Sequence, residues 1–353
     1  MPSATPTASK NLTGKALERA LRNLELDIIT ERLNACRIDL NTPPPEIEPL
    51  ISINGQCICS RGNISAIVGE AKSKKTFLCT ALVASAMAYP HPSGHPFDNV
   101  SNNTMLNVAW MDTEQSIHHV YKVAKRINDI TAVSAIGVSK DPRIELYTLR
   151  EYSPKERMER LYDIMRGTPL PLDIVVIDGI SDLMSNTNDL EESERVVGEL
   201  MALSTLYKCH IICVLHTNPG SDKARGHIGS SLLRKCESVI YVHRVGESSI
   251  VEPQYCRNEP FERFAFHINS EGLPELCALP TESVVENPVV RILRDYYGGA
   301  VERDTLTSKL ESLLGKSRAS ARMTISRALN MGLVIMDTAN KLVTLPGART
   351  TAQ

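Results

Sequence analysis

Residues 64–76 have the residue types and spacing that point most directly to chemistry. A β-type run enters a loop carrying Gly69, and Lys75-Thr76 opens an apolar helix, which is the context of a phosphate-binding loop. In that geometry backbone N–H groups face phosphates, Lys75 reaches the β- and γ-phosphates, and the Thr76 hydroxyl ligates Mg²⁺. The pattern predicts a phosphate-binding loop formed by Gly69, Glu70, Ala71, Lys72, Ser73, Lys74, Lys75 and Thr76.

This loop departs from the consensus GxxxxGK[ST] at one place, because Lys74 stands where the second glycine belongs. That glycine normally lets the backbone turn close to the phosphate. Lys72 and Lys74 add positive charge that compensates for its loss. The alternative interpretation of the segment is a solvated basic loop.

Acidic residues follow two buried β-type runs. Residues 106–111 precede Asp112-Thr113-Glu114, and residues 173–177 precede Asp178. Ligands of open α/β sheets bind at the carboxyl ends of strands, so Asp178 is placed to hold Mg²⁺ through water and Glu114 to polarise a water for attack on the γ-phosphate. The alternative is that both carboxylates cap the helices that follow them.

Short β-type runs alternate with helical stretches across the middle of the chain. The predicted strands are 65–68, 106–111, 144–149, 173–177, 210–215, 238–243, 250–255 and 261–268, and the predicted helices are 76–89, 116–129, 154–166 and 190–207. Continuous apolar strands between helices indicate an α/β fold with a mainly parallel sheet and helices on both faces. The last three runs lack long helices between them, which predicts antiparallel strands at one edge.

The first 50 residues form a separate N-terminal region. Residues 1–10 predict a mobile tail, residues 11–34 an amphipathic helix, and Thr42-Pro-Pro-Pro-Glu46 a stiff spacer. A lone helix needs a packing surface. That surface is either its own domain or a neighbouring subunit, and both remain open.

The C-terminal part has a different pattern. A linker at 271–288 precedes three predicted helices and two short strands over 289–346, which is the order of a winged helix-turn-helix. Arg318 and Arg322, one turn apart, fall on the outer face of the third helix, and such a face suits duplex DNA. The alternative is a winged helix used for protein contact.

The order of the loop Gly69–Thr76, Asp112-Thr113-Glu114, Asp178 and His216 resembles that of RecA-like P-loop ATPases. Within them it is similar to the DnaB-type and plasmid RepA-type hexameric helicases, in a variant similar to ATPases of bacterial mobile elements. The resemblance covers about residues 51–268, within an ATPase domain predicted at 51–270. It implies a RecA-like P-loop NTPase core that uses ATP and Mg²⁺.

The resemblance also implies roles for single residues. Glu114 matches the catalytic glutamate, His216 the γ-phosphate sensor, and Arg257 the arginine finger that enters the adjacent subunit's ATP site. Residues 217–231 match a flexible loop that grips single-stranded DNA in the central channel. Its basic members are Lys223, Arg225 and His227, and the alternative is an ordinary surface loop.

Charge and composition restrict the remaining classes. The chain has a formal charge of −2, but residues 289–349 hold ten Lys or Arg and five Asp or Glu, a net +5, so the remainder carries −7. The nine cysteines are scattered, the N-terminus lacks an apolar signal core, and no run of 18 apolar residues occurs. We therefore expect a cytoplasmic protein without a membrane partner.

These patterns together predict an ATP-hydrolysing motor of the helicase type. It would act on DNA as a homo-oligomeric ring, a hexamer, in replication, mobilisation or transposition of a plasmid or mobile element, with replication or recombination proteins as further partners. Two alternatives remain open. One is a non-motor DNA-binding regulator that uses ATP as a switch, and the other is an ATPase that loads a recombinase.

Overall fold

A computed structural model describes residues 14–44, 46–87, 106–131, 144–218, 223–280, 287–314, 317–330, 332–337 and 341–347. The chain divides into two compact units, Met1–Glu48 and Pro49–Gln353. The domain boundaries predicted at 51–270, 271–288 and 289–346 stay predictions. No helix within these ranges is long and apolar enough to cross a membrane.

The described residues of the first unit contain the helix α1 (Gly14–Cys36). It ends slightly later than the predicted helix at 11–34, and residues 11–13 lie outside the described ranges. The exposed fractions of its larger apolar side chains range from 42% to 57%, at Leu17, Leu21, Leu24, Leu26, Ile28, Ile29 and Leu33. What covers this helix stays a prediction.

The second unit is built around a nine-stranded sheet, preceded by an antiparallel hairpin of β1 (Pro49–Ile53) and β2 (Gln56–Ser60). The strands of the sheet are β3 (Ile64–Gly69), β4 (Val108–Asp112), β5 (Ile144–Thr148), β6 (Ile174–Asp178), β7 (His210–His216), β8 (Ser238–Val245), β9 (Ser248–Cys256), β10 (Phe264–Ile268) and β11 (Pro274–Cys277). Their order is β11-β10-β9-β8-β3-β7-β6-β4-β5. The six strands from β8 to β5 are parallel, as predicted for a mainly parallel sheet.

Helices cover both faces of this sheet, which confirms the predicted layers. They are α2 (Lys75–Met87), α3 (Ile117–Thr131), α4 (Pro154–Gly167), α5 (Leu190–Tyr207) and α6 (Gly226–Lys235). The apolar residues of α2 and α3 share one core with the hairpin, and those of α4, α5 and α6 share the other. Strands buried on both faces need apolar residues at every position, and β6 (Ile-Val-Val-Ile-Asp) is buried throughout.

Local sequence signals set the ends of α4 and α5. Ser153 and Glu156 form a reciprocal capping box around Pro154, and the Asp189 carboxylate accepts the Glu192 N–H at 2.8 Å. Lys208 ends α5 in a left-handed conformation, with φ of 52°. The Ser153 and Asp189 side chains satisfy N–H groups that the helices leave unpaired, and the Lys208 backbone N–H bonds to carbonyls of the last turn of α5.

Two predictions at the sheet edge and in the loops were wrong. The run at 238–243 is not an antiparallel addition at the edge, because β8 pairs in parallel with β3 on one side and antiparallel with β9 on the other. The antiparallel edge strands are β9, β10 and an additional β11. Residues 217–231 do not form a loop throughout, because α6 begins at Gly226. Ile228 and Leu232 are fully buried in the core beside α5, and that burial favours the helix.

The C-terminal part forms its own hydrophobic core. Its elements are α7 (Pro288–Tyr297), β12 (Ala300–Glu302), α8 (Arg303–Leu314), α9 (Arg318–Asn330), β13 (Ile335–Asp337) and β14 (Leu342–Thr344). The strands form an antiparallel sheet in the order β12-β14-β13. The sequence did not predict β12.

Candidate functional site

The predicted phosphate-binding loop connects β3 to α2 at the carboxyl edge of the parallel strands. A Cβ at Gly69 would lie 2.1 Å from the Val242 backbone oxygen, so the contact between β3 and β8 requires glycine there. Glu70, Ala71 and Lys72 are exposed, and Ser73 is buried. The Ser73 hydroxyl has no hydrogen-bond partner within the described residues.

Lys74 has a left-handed backbone conformation, which a glycine at this position would adopt without steric cost. Its φ is 72° and that of Lys72 is 64°, both in the left-handed region. A residue with a Cβ in that region carries a steric cost of about 1–2 kcal/mol. The loop therefore contains two lysines in a strained backbone conformation.

Lys75 lies inside the loop and is 6% exposed. Its Nζ donates to the backbone oxygens of Gly69 and Glu70, both at 2.9 Å, and lies 3.0 Å from Nδ1 of His216. Burial lowers the pKa of Lys75 to about 8, opposed by the charges of Asp178 and Glu114. Its ammonium group is held at the centre of the loop, where an anion can replace the carbonyl contacts.

Thr76 and Asp178 bring two oxygen ligands together. The Thr76 hydroxyl donates to Oδ2 of Asp178 at 2.9 Å. Burial, and next the nearby Asp112, raise the pKa of Asp178 to about 7. A hydroxyl beside a buried carboxylate is a donor set that fits Mg²⁺, and a divalent cation would also offset the cost of burying this charge.

Glu114 and His216 face each other beside Lys75. Oε2 of Glu114 lies 3.6 Å from Nε2 of His216, and this polar contact is the main cause of the lowered pKa of Glu114. Asp112 instead holds the turn before α3, because its carboxylate accepts the Glu114 and Gln115 N–H groups at 3.1 and 2.7 Å. The Glu114 carboxylate is thus kept ionised and available to a water.

One cavity of about 490 Å³ contains Lys75, Thr76, Glu114, Asp178 and His216 in its lining. Its lining also includes residues that the sequence did not single out: Gln115, His119, Lys122, Val123, Arg126 and Arg244. Four of these recur at helical spacing on α3, which is the signal that could have indicated a lining face.

The Arg126 guanidinium stacks 3.7 Å from the ring centroid of Phe77, which follows Thr76 in α2. Its Nε donates to the Gly272 backbone oxygen at 3.3 Å. Burial lowers the pKa of Arg126 to about 10, so the group remains a cation at neutral pH. The wall of the cavity formed by α2 and α3 is therefore both aromatic and positively charged.

Arg257 lies away from the cavity of its own chain. Gly69 pairs with Val242 near the carboxyl end of β8, whereas Cys256 pairs with Ser238 at the amino end. The Arg257 N–H donates to the Glu237 backbone oxygen at 2.8 Å, and Nη2 donates to the Lys235 backbone oxygen at 2.9 Å. Arg257 is exposed and lies near the amino ends of the parallel strands, whereas the phosphate-binding loop follows their carboxyl ends.

The predicted DNA-contacting residues lie in two places. Arg225 precedes α6, with its N–H donating to the His216 backbone oxygen at 3.0 Å, and His227 lies in the first turn. Residues 219–222, beside Lys223, lie outside the described ranges. In α9, Arg318 and Arg322 lie 3.6 and 3.3 Å from Asp304, and both are about half exposed.

Comparison with known proteins identifies the family of the chain. Residues 30–222 match the AAA domain family, and this span is more than half of the chain. No curated protein matches the sequence. The matched span includes the phosphate-binding loop, Glu114, Asp178 and His216. The chain therefore belongs to the AAA domain family of P-loop ATPases.

Proposed function

We propose that this protein is an ATP-hydrolysing motor that acts on DNA as a homo-oligomeric ring. The observation that carries the proposal is the convergence of Lys75, Thr76, Glu114, Asp178 and His216 on one cavity. An exposed arginine at the opposite edge of the sheet supports the ring, because Arg257 is accessible to a neighbouring subunit.

Each residue of the cavity has a proposed role. Lys75 binds the β- and γ-phosphates, and Glu114 orients and activates the attacking water through a carboxylate kept ionised by His216. Thr76 and Asp178 would hold Mg²⁺, which supplies charge neutralisation when bound. His216 contacts both Lys75 and Glu114, so it can sense the γ-phosphate. Arg257 completes the neighbour's site.

The proposed nucleic-acid contacts use two regions. Single-stranded DNA would be contacted beside the ATP site by Lys223, Arg225 and His227. The hydrogen bond from the Arg225 N–H to the His216 backbone oxygen connects this region to the ATP site. The C-terminal part is proposed to be a winged helix that contacts duplex DNA through Arg318 and Arg322. Asp304 would have to release these arginines when DNA binds.

The finer proposal is membership of the DnaB- and RepA-type hexameric helicase group, in a mobile-element or plasmid variant. The protein would work in the cytoplasm during replication, mobilisation or transposition, together with replication or recombination proteins. The order of loop, glutamate, aspartate and histidine supports it. A regulator that uses ATP as a switch and a recombinase-loading ATPase are the alternatives.

A DNA-stimulated ATPase assay tests the proposal. We expect single-stranded DNA to raise turnover, and Lys75→Ala to lower it about 100-fold, because a preorganised cation at the phosphates is lost. Lys155→Ala, at an exposed lysine of α4, is the control that leaves turnover unchanged. No turnover in the wild type with duplex binding intact would favour the regulator. Turnover without unwinding of forked DNA would favour the loader.

A further inference from the structure

We infer that the cavity contains a second anion subsite, which binds the polyphosphate of a nucleotide without requiring Mg²⁺. The subsite is formed by Lys72, Lys74, Lys122 and Arg126, here named the outer cation cluster. The inference rests on the proposed function, since it assumes that nucleotide binds in this cavity.

The cations of the cluster have no carboxylate partner among the described residues. Within the described part of the chain, none of the four forms an ion pair, whereas other exposed cations do, such as Arg160 with Asp163 at 2.7 Å. Like charges that face one cavity repel each other and raise its positive potential. A bound polyanion would relieve that repulsion.

Aromatic contacts hold two members of the cluster close together. The Phe77 ring has the Arg126 guanidinium 3.7 Å from its centroid and the Lys74 ammonium 5.2 Å from it. Lys122 lies one turn from Arg126 on α3, and its side chain also lines the cavity. The cluster thus lies directly beside Thr76 and Lys75, at the phosphate-binding end of α2.

Backbone strain in the loop supports a role for its lysine side chains. Lys72 and Lys74 occupy left-handed conformations that glycine would adopt without steric cost. Strain of this kind persists where a side chain has a function. At both positions the side chain lines the cavity, so the strained backbone places positive charge where the phosphates would bind.

The charge count of the cavity argues for metal-free binding. Its lining contains six Lys or Arg and two Asp or Glu, an excess of four cations. Mg²⁺ normally neutralises the phosphates of a bound nucleotide. Here the outer cation cluster can supply much of that neutralisation, so removal of the metal should weaken binding only slightly. The ligand class is nucleoside triphosphates, and inorganic triphosphate should compete.

Isothermal titration calorimetry of the full chain with ATP, in Mg²⁺ and in EDTA, tests the inference. For the wild type we expect EDTA to weaken ATP binding by less than about fivefold. For Lys74→Gly or Lys122→Gln the weakening by EDTA should be more than about tenfold larger than in the wild type, which is the effect of losing one charge-assisted hydrogen bond. Lys125→Gln is the matched control, because Lys125 is exposed on α3 and does not line the cavity. Thermal unfolding establishes that each variant is folded.

The outcomes separate this inference from the proposed function. Binding in Mg²⁺ that disappears in EDTA for the wild type overturns the subsite and leaves the ATPase proposal intact. An EDTA effect of equal size in the wild type, Lys74→Gly and Lys122→Gln also overturns it. No binding of ATP under either condition overturns both.

Discussion

Gly179 follows Asp178 and packs against Thr113 and Glu114. Its φ is 104°, and a Cβ there would lie 2.1 Å from Oγ1 of Thr113 and 3.1 Å from Cγ of Glu114. The Thr113 hydroxyl donates to the Gly179 backbone oxygen at 2.9 Å. Glycine at this position is therefore required by both the backbone conformation and the position of the glutamate.

Gly179→Ala should displace Thr113 and Glu114 and lower ATP turnover about tenfold or more, because a misplaced catalytic group loses its alignment. It should also destabilise the fold by about 1–3 kcal/mol. Steady-state ATPase rates and urea unfolding measure the two effects. Gly198→Ala in α5 is the control, since a Cβ there meets nothing within 4 Å. Unchanged turnover in Gly179→Ala would contradict this account of the site.

At the residue scale, spacing along the chain predicted the loop and the acidic strand ends, but not how side chains from separate helices meet. The pattern from Gly69 to Thr76 is local, so the sequence contains it in full. The contact of Arg126 with Phe77 joins α3 to α2 and depends on how the two helices pack on the sheet. The left-handed backbone of Lys74 is likewise a property of the folded loop, although the consensus glycine indicates it.

A buried polar network connects the β1–β2 hairpin to the sheet. Nδ1 of His210 donates to the Ser60 backbone oxygen at 2.7 Å, and Nε2 accepts from the Ser65 hydroxyl at 2.9 Å. Glu237 accepts from the Ser60 N–H at 2.8 Å. The neutral ring satisfies both partners of His210, and burial lowers the pKa of His210 from 6.5 to about 4.

This network predicts a pH dependence of stability. Because the folded-state pKa of His210 is the lower one, the unfolded chain binds more protons between pH 6.5 and 4, and stability falls as the pH falls through that window. The loss from pH 7 to pH 5 should be about 2 kcal/mol. Urea unfolding at both values should show a smaller loss in His210→Gln than in the wild type or in the exposed control His118→Gln. An identical loss in all three would exclude His210 as the cause.

At the element scale, helices with local capping signals were predicted more accurately than strand partners. Residues 190–207 match α5 at both ends, because Asp189 and Lys208 mark its limits. The direction of β8 depends instead on pairing with β3, which is more than 160 residues earlier in the chain. The sequence did not predict the hairpin at 49–60 or α6, because their apolar residues are buried only by contacts with other elements of the assembled core.

At the scale of the whole molecule, charge is unevenly distributed. Residues 289–349 carry a net +5 and the remainder −7, so the near-neutral total conceals a basic C-terminal part. Within that part, Arg318 and Arg322 lie beside Asp304. The net +5 already counts Asp304, so this pairing leaves the net charge unchanged, although both arginines have an acidic neighbour inside the C-terminal part.

The position of Arg257 leads to a prediction about subunit mixing. The arginine lies at the opposite edge of the sheet from Lys75 of the same chain, so the two can serve one site only if they come from neighbouring subunits. Lys75→Ala and Arg257→Ala should each be inactive alone. In an equal mixture, about a quarter of the interfaces pair an intact Lys75 with an intact Arg257, so about a quarter of wild-type turnover should return.

The matched control is a mixture of Lys75→Ala with Asp178→Asn. Lys75 and Asp178 belong to the half of the site that a single chain supplies. Every subunit in this mixture therefore lacks one of the two residues, and no interface contains an intact site. Recovery in the first mixture but not in the second is the signature of a shared site, measured as ATPase rate alongside sizing with ATP and Mg²⁺. If neither mixture recovers activity although both form oligomers, Arg257 does not act across the interface, and the ring proposal loses its structural basis.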